Sequence, residues 1–242
     1  MTTRSFDWPG EERRNPRRSS ATWLVRHALA GWLAAEAKAA AERRGSYRVL
    51  DVGCGPKPYY PFFAEWADEY IGVDVVENPV AELLGPVEAL PVEDGSFDLV
   101  LCTQVLEHCD DPAQAVRELR RVTTPGGRVL ASTHGVQVYH PSPEDLWRWT
   151  HVGLRRLFER EAEWAAVSVA PAGGTAGCLA MLLGTYLEIA GRRGHAATAA
   201  RPPVWLLNTA GRALDRRVRM LHDVVPGSLI ANFHVAADVS AA

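Results

Sequence analysis

The run RVLDVGCGPKPYY, Arg48 to Tyr60, constrains this chain more than any other stretch. An apolar strand ends on an acidic residue, Asp51, and the chain turns through Gly53 and Gly55 toward a helix start near Pro58. Small residues in such a turn let the backbone approach a nucleotide-like ligand, and the N–H groups opening the next helix face it. The turn alone is a common motif. A second apolar run, YIGVDVV, ends on Asp74, 23 positions after Asp51. That is near the spacing at which an acidic side chain grips a ribose hydroxyl.

The rest of the chain repeats this alternation. Ser19 or Ser20 is placed to cap a helix running through TWLVRHALAGWLAAEAKAAAERR, with Gly45 as its stop. Strands follow at Tyr47–Asp51 and Tyr70–Val75, a short one near Pro86–Ala89, and one at Phe97–Thr103 whose unbroken apolar run suits a parallel strand covered on both faces. DDPAQAVRELRRV reads as a helix and RVLASTH as a fifth strand. The expected fold is α/β, a Rossmann-like, doubly wound and mostly parallel sheet with helices on both faces.

Beyond that, SPEDLWRWTHVGLRRLFEREAEW reads as two short helices with Thr150 capping between them, and AAVSVA as a sixth strand. Residues 171 to about 227 read as a helical insertion before the last strand, LIANFHVAADV. Its second segment sets Leu207, Ala210, Leu214, Val218 and Leu221 on one side. The polar, Arg- and Pro-rich residues 1–18 read as a flexible tail, and residues 19–242 as a single domain.

Bulk properties exclude several classes. The net charge is −3 across 242 residues, which argues against a phosphate-tracking nucleic-acid binder. Cys54, Cys102, Cys109 and Cys178 form no CxxC pair and no zinc-type spacing with histidine. Reduced thiols in a cytoplasmic protein, and no metal, are therefore expected. CLAMLLGTYLEIA is too short to span a bilayer and carries Glu188, so no membrane span is expected. The N-terminus has no apolar stretch of the kind a secretory signal needs.

Four pieces in register carry a family resemblance: VLDVGCGPKPY, IGVDV, ALPVEDGSFDLVLCTQVLEH and PAQAVRELRRVTTPGGRVL, together covering roughly residues 47 to 133. HPSPEDLWRWTHVGL extends it more loosely to Leu154. The sequence resembles the class I S-adenosylmethionine-dependent methyltransferases, in the small-molecule branch that includes ubiquinone- and menaquinone-biosynthesis-type enzymes. The resemblance implies a seven-stranded sheet with an antiparallel last strand, and S-adenosyl-L-methionine bound across the carboxyl ends of strands one to four. Carried over by motif, Asp51, Gly53 and Gly55 lie along the methionine moiety, with Cys54 filling the turn near the ligand. Asp74, with Val75 after it, holds the ribose hydroxyls. Glu88, Ala89 and Leu90 line the adenine, and Thr103 and Gln104 sit beneath the sulfonium.

Two positions depart from the family pattern. Lys57 stands where a third glycine is common, and its ammonium either meets the methionine carboxylate or points to water. Pro86 stands where an acidic residue often accepts from the adenine amine, which leaves Glu88 or a backbone carbonyl to do so.

The acceptor side is read from chemistry. His134 directly follows strand five, where a neutral imidazole could take a proton from an acceptor. His140 and His108 are the further candidates. Asp145 and Arg148 either pair to fix their loop or contact the acceptor, and Trp147, Tyr59 and Trp23 either wall an acceptor pocket or fill the core. The expected activity is methyl transfer to O, N or C of a small-molecule acceptor. The inserted helices are expected as an acceptor cap, a homodimer contact or both. The rivals are a nicotinamide dehydrogenase, disfavoured by proline at 58 and by the lack of a Tyr-x-x-x-Lys; RNA methylation; and a cofactor-binding scaffold or non-methylating cyclisation catalyst on the same fold.

Overall fold

The computed structural model describes residues 8–141 and 143–241. A seven-stranded sheet runs through it in the order β3-β2-β1-β4-β5-β7-β6. Its strands are β1 Tyr47–Val52, β2 Ala67–Asp74, β3 Leu83–Leu84, β4 Phe97–Thr103, β5 Thr123–His134, β6 Ala166–Pro171 and β7 Asn232–Asp238. Strands β1 to β5 pair in parallel, and β7 runs antiparallel to both β5 and β6. The helices are α1 Glu11–Arg14, α2 Trp23–Arg44, α3 Tyr60–Phe63, α4 Pro112–Val122, α5 His151–Glu161, α6 Thr175–Arg193, α7 Arg201–Arg217 and α8 Arg219–His222.

Period-two alternation gives the sheet two buried faces. Leu50, Val52, Val100, Cys102, Val129 and Ala131 pack on one side with Leu119 of α4 and Phe158 of α5. Val49, Leu99, Leu101 and Leu130 pack on the other with Leu29, Leu33 and Ala37 of α2. Local signals set the helix ends. The Asp111 carboxylate accepts from Gln114 N, and the Thr150 hydroxyl from Gly153 N, each at 3.0 Å. Gly45 ends α2 at φ +80°.

Several expectations are corrected. The third strand is Leu83–Leu84, not Pro86–Ala89. Glu82 N and Gly85 N reach the Gly72 and Asp74 carbonyls, whereas Pro86 has no N–H and opens a turn closed by Ala89 N. The helix expected near Pro58 is the four residues of α3. Among the described residues of the stretch read as two helices, α5 alone forms, and the backbone N–H groups ahead of it bond outside any helix: Leu146 N and Trp147 N to the Glu107 carbonyl and Trp149 N to the His134 carbonyl. The described part of the tail is anchored, with Trp8 Nε1 on the Lys57 carbonyl at 2.7 Å and Arg14 on the Pro58 carbonyl at 2.6 Å. Helices α6 and α7 lie between β6 and β7, but the leucine side of α7 is not its buried face. Val204, Asn208, Gly211 and Asp215 are buried instead. Asn208 bonds the Arg18 and Ser20 carbonyls, and Asp215 accepts from Gly174, Ala176 and Gly177 N, so polar anchoring outweighs the apolar stripe.

Candidate functional site

Parallel pairing of β1, β2, β4 and β5 puts their carboxyl ends on one edge of the sheet, where ligands of open α/β sheets bind. The loops there begin at Gly53, Val75, Gln104 and Gly135. Gly53 N and Cys54 N bond the Val73 carbonyl at 2.8 and 3.1 Å, and Gly55 N donates to Asp74 Oδ2 at 2.8 Å. The Asp74 carboxylate therefore braces the turn. Gly53 has φ +65°, and a Cβ there would stand 2.3 Å from Val105 Cγ2, so both its conformation and its clearance require glycine.

Asp51 is buried beside this turn and accepts from the Tyr70 hydroxyl at 2.7 Å. Burial lifts its pKa to about 7, against the pull of Tyr70 and Lys57. Lys57, at φ +49°, neither points to water nor stands free for a ligand carboxylate. Its side chain is 4% exposed and its Nζ meets both Glu82 oxygens at 2.5 Å. Burial acts to raise the Glu82 pKa, but hydrogen bonds from Lys57 and Gly72 N–H win and hold it below the usual carboxylate range. Gly72 makes room for this pair, since a Cβ there would lie 2.4 Å from Lys57 Cε. Cys54 is buried in the turn, its thiol pushed up to about 12 by burial and the nearby carboxylates.

The other cofactor-side candidates are placed unequally. Val75 is exposed at the same edge. Glu88 Oε1 accepts from Asp110 N at 2.9 Å and Asp111 N at 3.3 Å. Its Oε1 thus holds the entry to α4. Leu90 is buried in the core and Ala89 lies exposed before it. Thr103 ends β4, and Gln104, at φ +58°, is tied to Ser132 Oγ at 2.8 Å and to Asn232 at 3.1 Å.

Three histidines converge near the carboxyl ends of β4 and β5. The His108 and His134 rings each lie 5.2 Å from the His140 ring. His134 is buried, with Nε2 3.3 Å from Glu107 Oε1 and Nδ1 without a hydrogen-bond partner among the described residues. Burial, then the Arg148 charge, lowers its pKa to about 3, so the ring is neutral. Glu107 is fully buried, accepts from the Thr133 hydroxyl at 2.8 Å, and burial lifts its pKa to about 7. Its link to His134 went unread in the sequence, although the Glu-His pair at 107 and 108 was visible there. Asp145 and Arg148 do pair, Arg148 Nη2 to Asp145 Oδ2 at 2.5 Å.

The ligand atoms of His108, His140 and Asp145 lie within 4.8 Å of one another, although the sequence led to an expectation of no metal. Their sequence separations match no metal motif, so only the fold reveals them. The aromatic candidates divide. Trp147 stacks on Trp149 at 5.8 Å and donates to the Cys109 carbonyl at 2.8 Å, at the rim of this cluster. Tyr59 is core, packed with Leu29 and Phe63. Trp23 is buried, stacked on His27 at 5.0 Å and contacted by the Arg18 and Arg212 guanidinium groups. Val136 packs on the cluster of Val25, Cys178 and Met181, so α6 abuts the loop that follows His134. No helix among the described residues is long and apolar enough to cross a membrane.

Comparison with known proteins gives a consistent result. Residues 50–131 match a family described as a methyltransferase domain. The chain is 34% identical over 110 residues to a malonyl-(acyl-carrier protein) O-methyltransferase of Erwinia billingiae, covering 41% of this chain and 44% of that protein. It is 38% identical over 101 residues to a ubiquinone biosynthesis O-methyltransferase of Bordetella bronchiseptica, covering 36% and 42%. The match thus spans less than half the length of these curated relatives. Among solved structures, a Haemonchus contortus phospholethanolamine N-methyltransferase 2, in complex with phosphomonomethylethanolamine and S-adenosylhomocysteine, superposes with a TM-score of 0.51 at 16% identity, covering 86% of this chain and 53% of that one.

Proposed function

We propose that this chain, whose core is that of a class I S-adenosylmethionine-dependent methyltransferase of the small-molecule branch, moves a methyl group to O, N or C of a small-molecule acceptor. The observation that carries this reading is the pair of carboxylates, Asp51 and Asp74, at the tips of adjacent parallel strands on either side of a turn that requires glycine.

The residues suit an adenosyl amino acid. Asp74 lies half-buried and keeps lone pairs beside the Gly55 N and Val76 N bonds it accepts, Asp51 is a buried acceptor bonded to the Tyr70 hydroxyl, and the Gly53–Gly55 backbone admits close approach. Asp74 holds the ribose diol, Asp51 and the turn hold the methionine end, and Thr103 and Gln104 floor the site. S-Adenosylmethionine supplies an electrophilic methyl group on a sulfonium. The protein's share is alignment of the acceptor and exclusion of water, worth roughly 7–11 kcal/mol of barrier where positioning is good.

His134 is assigned to receive the acceptor's proton at its buried, unpartnered Nδ1. Glu107 beside Nε2 orients the ring and stabilises the imidazolium that forms. Helices α6 and α7 bound the acceptor side through the contact between α6 and the loop after β5. Isothermal titration with S-adenosylhomocysteine tests the reading. Asp74→Asn weakens binding ~10–100-fold, the loss of a charged hydrogen-bond acceptor. Unchanged affinity in that variant, or no binding by the wild type, overturns the reading.

A further inference from the structure

We propose that His108, His140 and Asp145 form a site for one divalent transition-metal ion, placed beside His134 on the acceptor side. The three side chains come from two loops. His108 follows β4, while His140 and Asp145 lie between β5 and α5, and their ligand atoms converge within 4.8 Å.

The surroundings order this constellation before any ion binds. His108 Nδ1 is 2.7 Å from the Glu144 carbonyl, which accepts the ring proton and leaves Nε2 with its lone pair. Such an outer hydrogen bond fixes the tautomer of a ligating histidine. Arg148 and the His140 N–H, the latter at 3.2 Å, hold the Asp145 carboxylate and still leave it lone pairs. Leu146 N and Trp147 N pin the loop to the Glu107 carbonyl at 2.9 and 3.2 Å.

Two imidazoles and one carboxylate suit zinc, cobalt or iron(II) better than magnesium or calcium, which prefer all-oxygen sets. Three protein ligands leave coordination positions open, the pattern of a catalytic rather than a structural site. An open position beside His134 would take an oxygen of the acceptor, which selects hydroxyl, phenol or carboxylate acceptors. This role deepens the methyl-transfer reading and rests on it, whereas the binding site itself does not. The Arg148 guanidinium opposes the cation, so the affinity falls below that of a site with the same ligands and no neighbouring positive charge.

Cobalt(II) titration of the full-length, chelator-treated protein, without cofactor or acceptor, tests the site by visible absorption and calorimetry. One equivalent binds with a d–d band, and His108→Ala and His140→Ala each lose ~10-fold or more in affinity. His151→Ala, whose ring bonds the Val169 carbonyl outside the cluster, keeps wild-type binding. Circular dichroism and S-adenosylhomocysteine binding confirm that each variant is folded. Wild-type affinity in both His108→Ala and His140→Ala, or no stoichiometric binding by the wild type, overturns the site. Retained S-adenosylhomocysteine binding in that case leaves the methyl-transfer reading standing, so the two failures are distinguishable.

Discussion

Asp51→Asn tests whether burial makes the Asp51–Gly55 turn sensitive to pH. Asp51 is 3% exposed, and burial raises its pKa from an ordinary 3.8 to about 7. Tyr70, Lys57 and Arg13 act to lower it, and Asp74 acts with burial to raise it. The folded carboxyl therefore holds its proton more tightly than the unfolded one. Its stabilising contribution is complete below about pH 4 and is lost as pH climbs through about 7. Each pH unit over which only the folded carboxyl keeps its proton costs ~1.4 kcal/mol, so this group alone removes roughly 2–3 kcal/mol of stability between pH 5 and pH 8. Asparagine does not ionise and keeps an oxygen for the Tyr70 hydroxyl. Relative to the wild type, the variant therefore gains roughly 2–3 kcal/mol between pH 5 and pH 8, or about 5–10 °C in Tm. Urea unfolding followed by far-UV circular dichroism at both pH values, without cofactor, measures the difference. Parallel pH dependences that agree within about 0.5 kcal/mol would refute the assignment of a buried, proton-holding carboxyl at this turn.

Two further substitutions probe the frame around the site. Gly72→Ala drives a methyl group to 2.4 Å from Lys57 Cε and 2.7 Å from Cys54 Sγ. It should cost ~1–3 kcal/mol in chemical denaturation and weaken S-adenosylhomocysteine binding by displacing the turn. A neutral result on both counts would show that the Lys57–Glu82 pair yields without disturbing the site. Asp215→Ala strips the partner from three N–H groups, Gly174, Ala176 and Gly177, at 3.0, 3.0 and 2.9 Å. A loss of about 3 kcal/mol or more is expected by urea unfolding, with partial recovery in Asp215→Asn, and equal stability of all three proteins would contradict the anchoring role given to this residue.

The sequence by itself determined the sheet and its ligand edge. Unbroken apolar runs need cover on both faces, and glycines after an acidic strand end leave few alternatives to the Asp51–Gly55 turn with Asp74 on the neighbouring strand. The cap at Thr150 was equally legible, because capping is a contact between residues three apart. Tertiary structure alone decided the side-chain partners. Lys57 turns inward because Glu82, 25 positions away, waits beside a glycine, and Glu88 Oε1 is engaged by the N–H groups just ahead of α4. Tyr59 and Trp23 sink into packed interfaces, and α7 buries polar anchors in place of leucines, because distant backbone groups need partners once removed from water. The grouping of His108, His134 and His140 with Asp145 has the same origin. Periodicity reports which way a side chain faces, whereas the meeting of loops from different strands depends on how the sheet is wound and on which buried polar groups must then be satisfied.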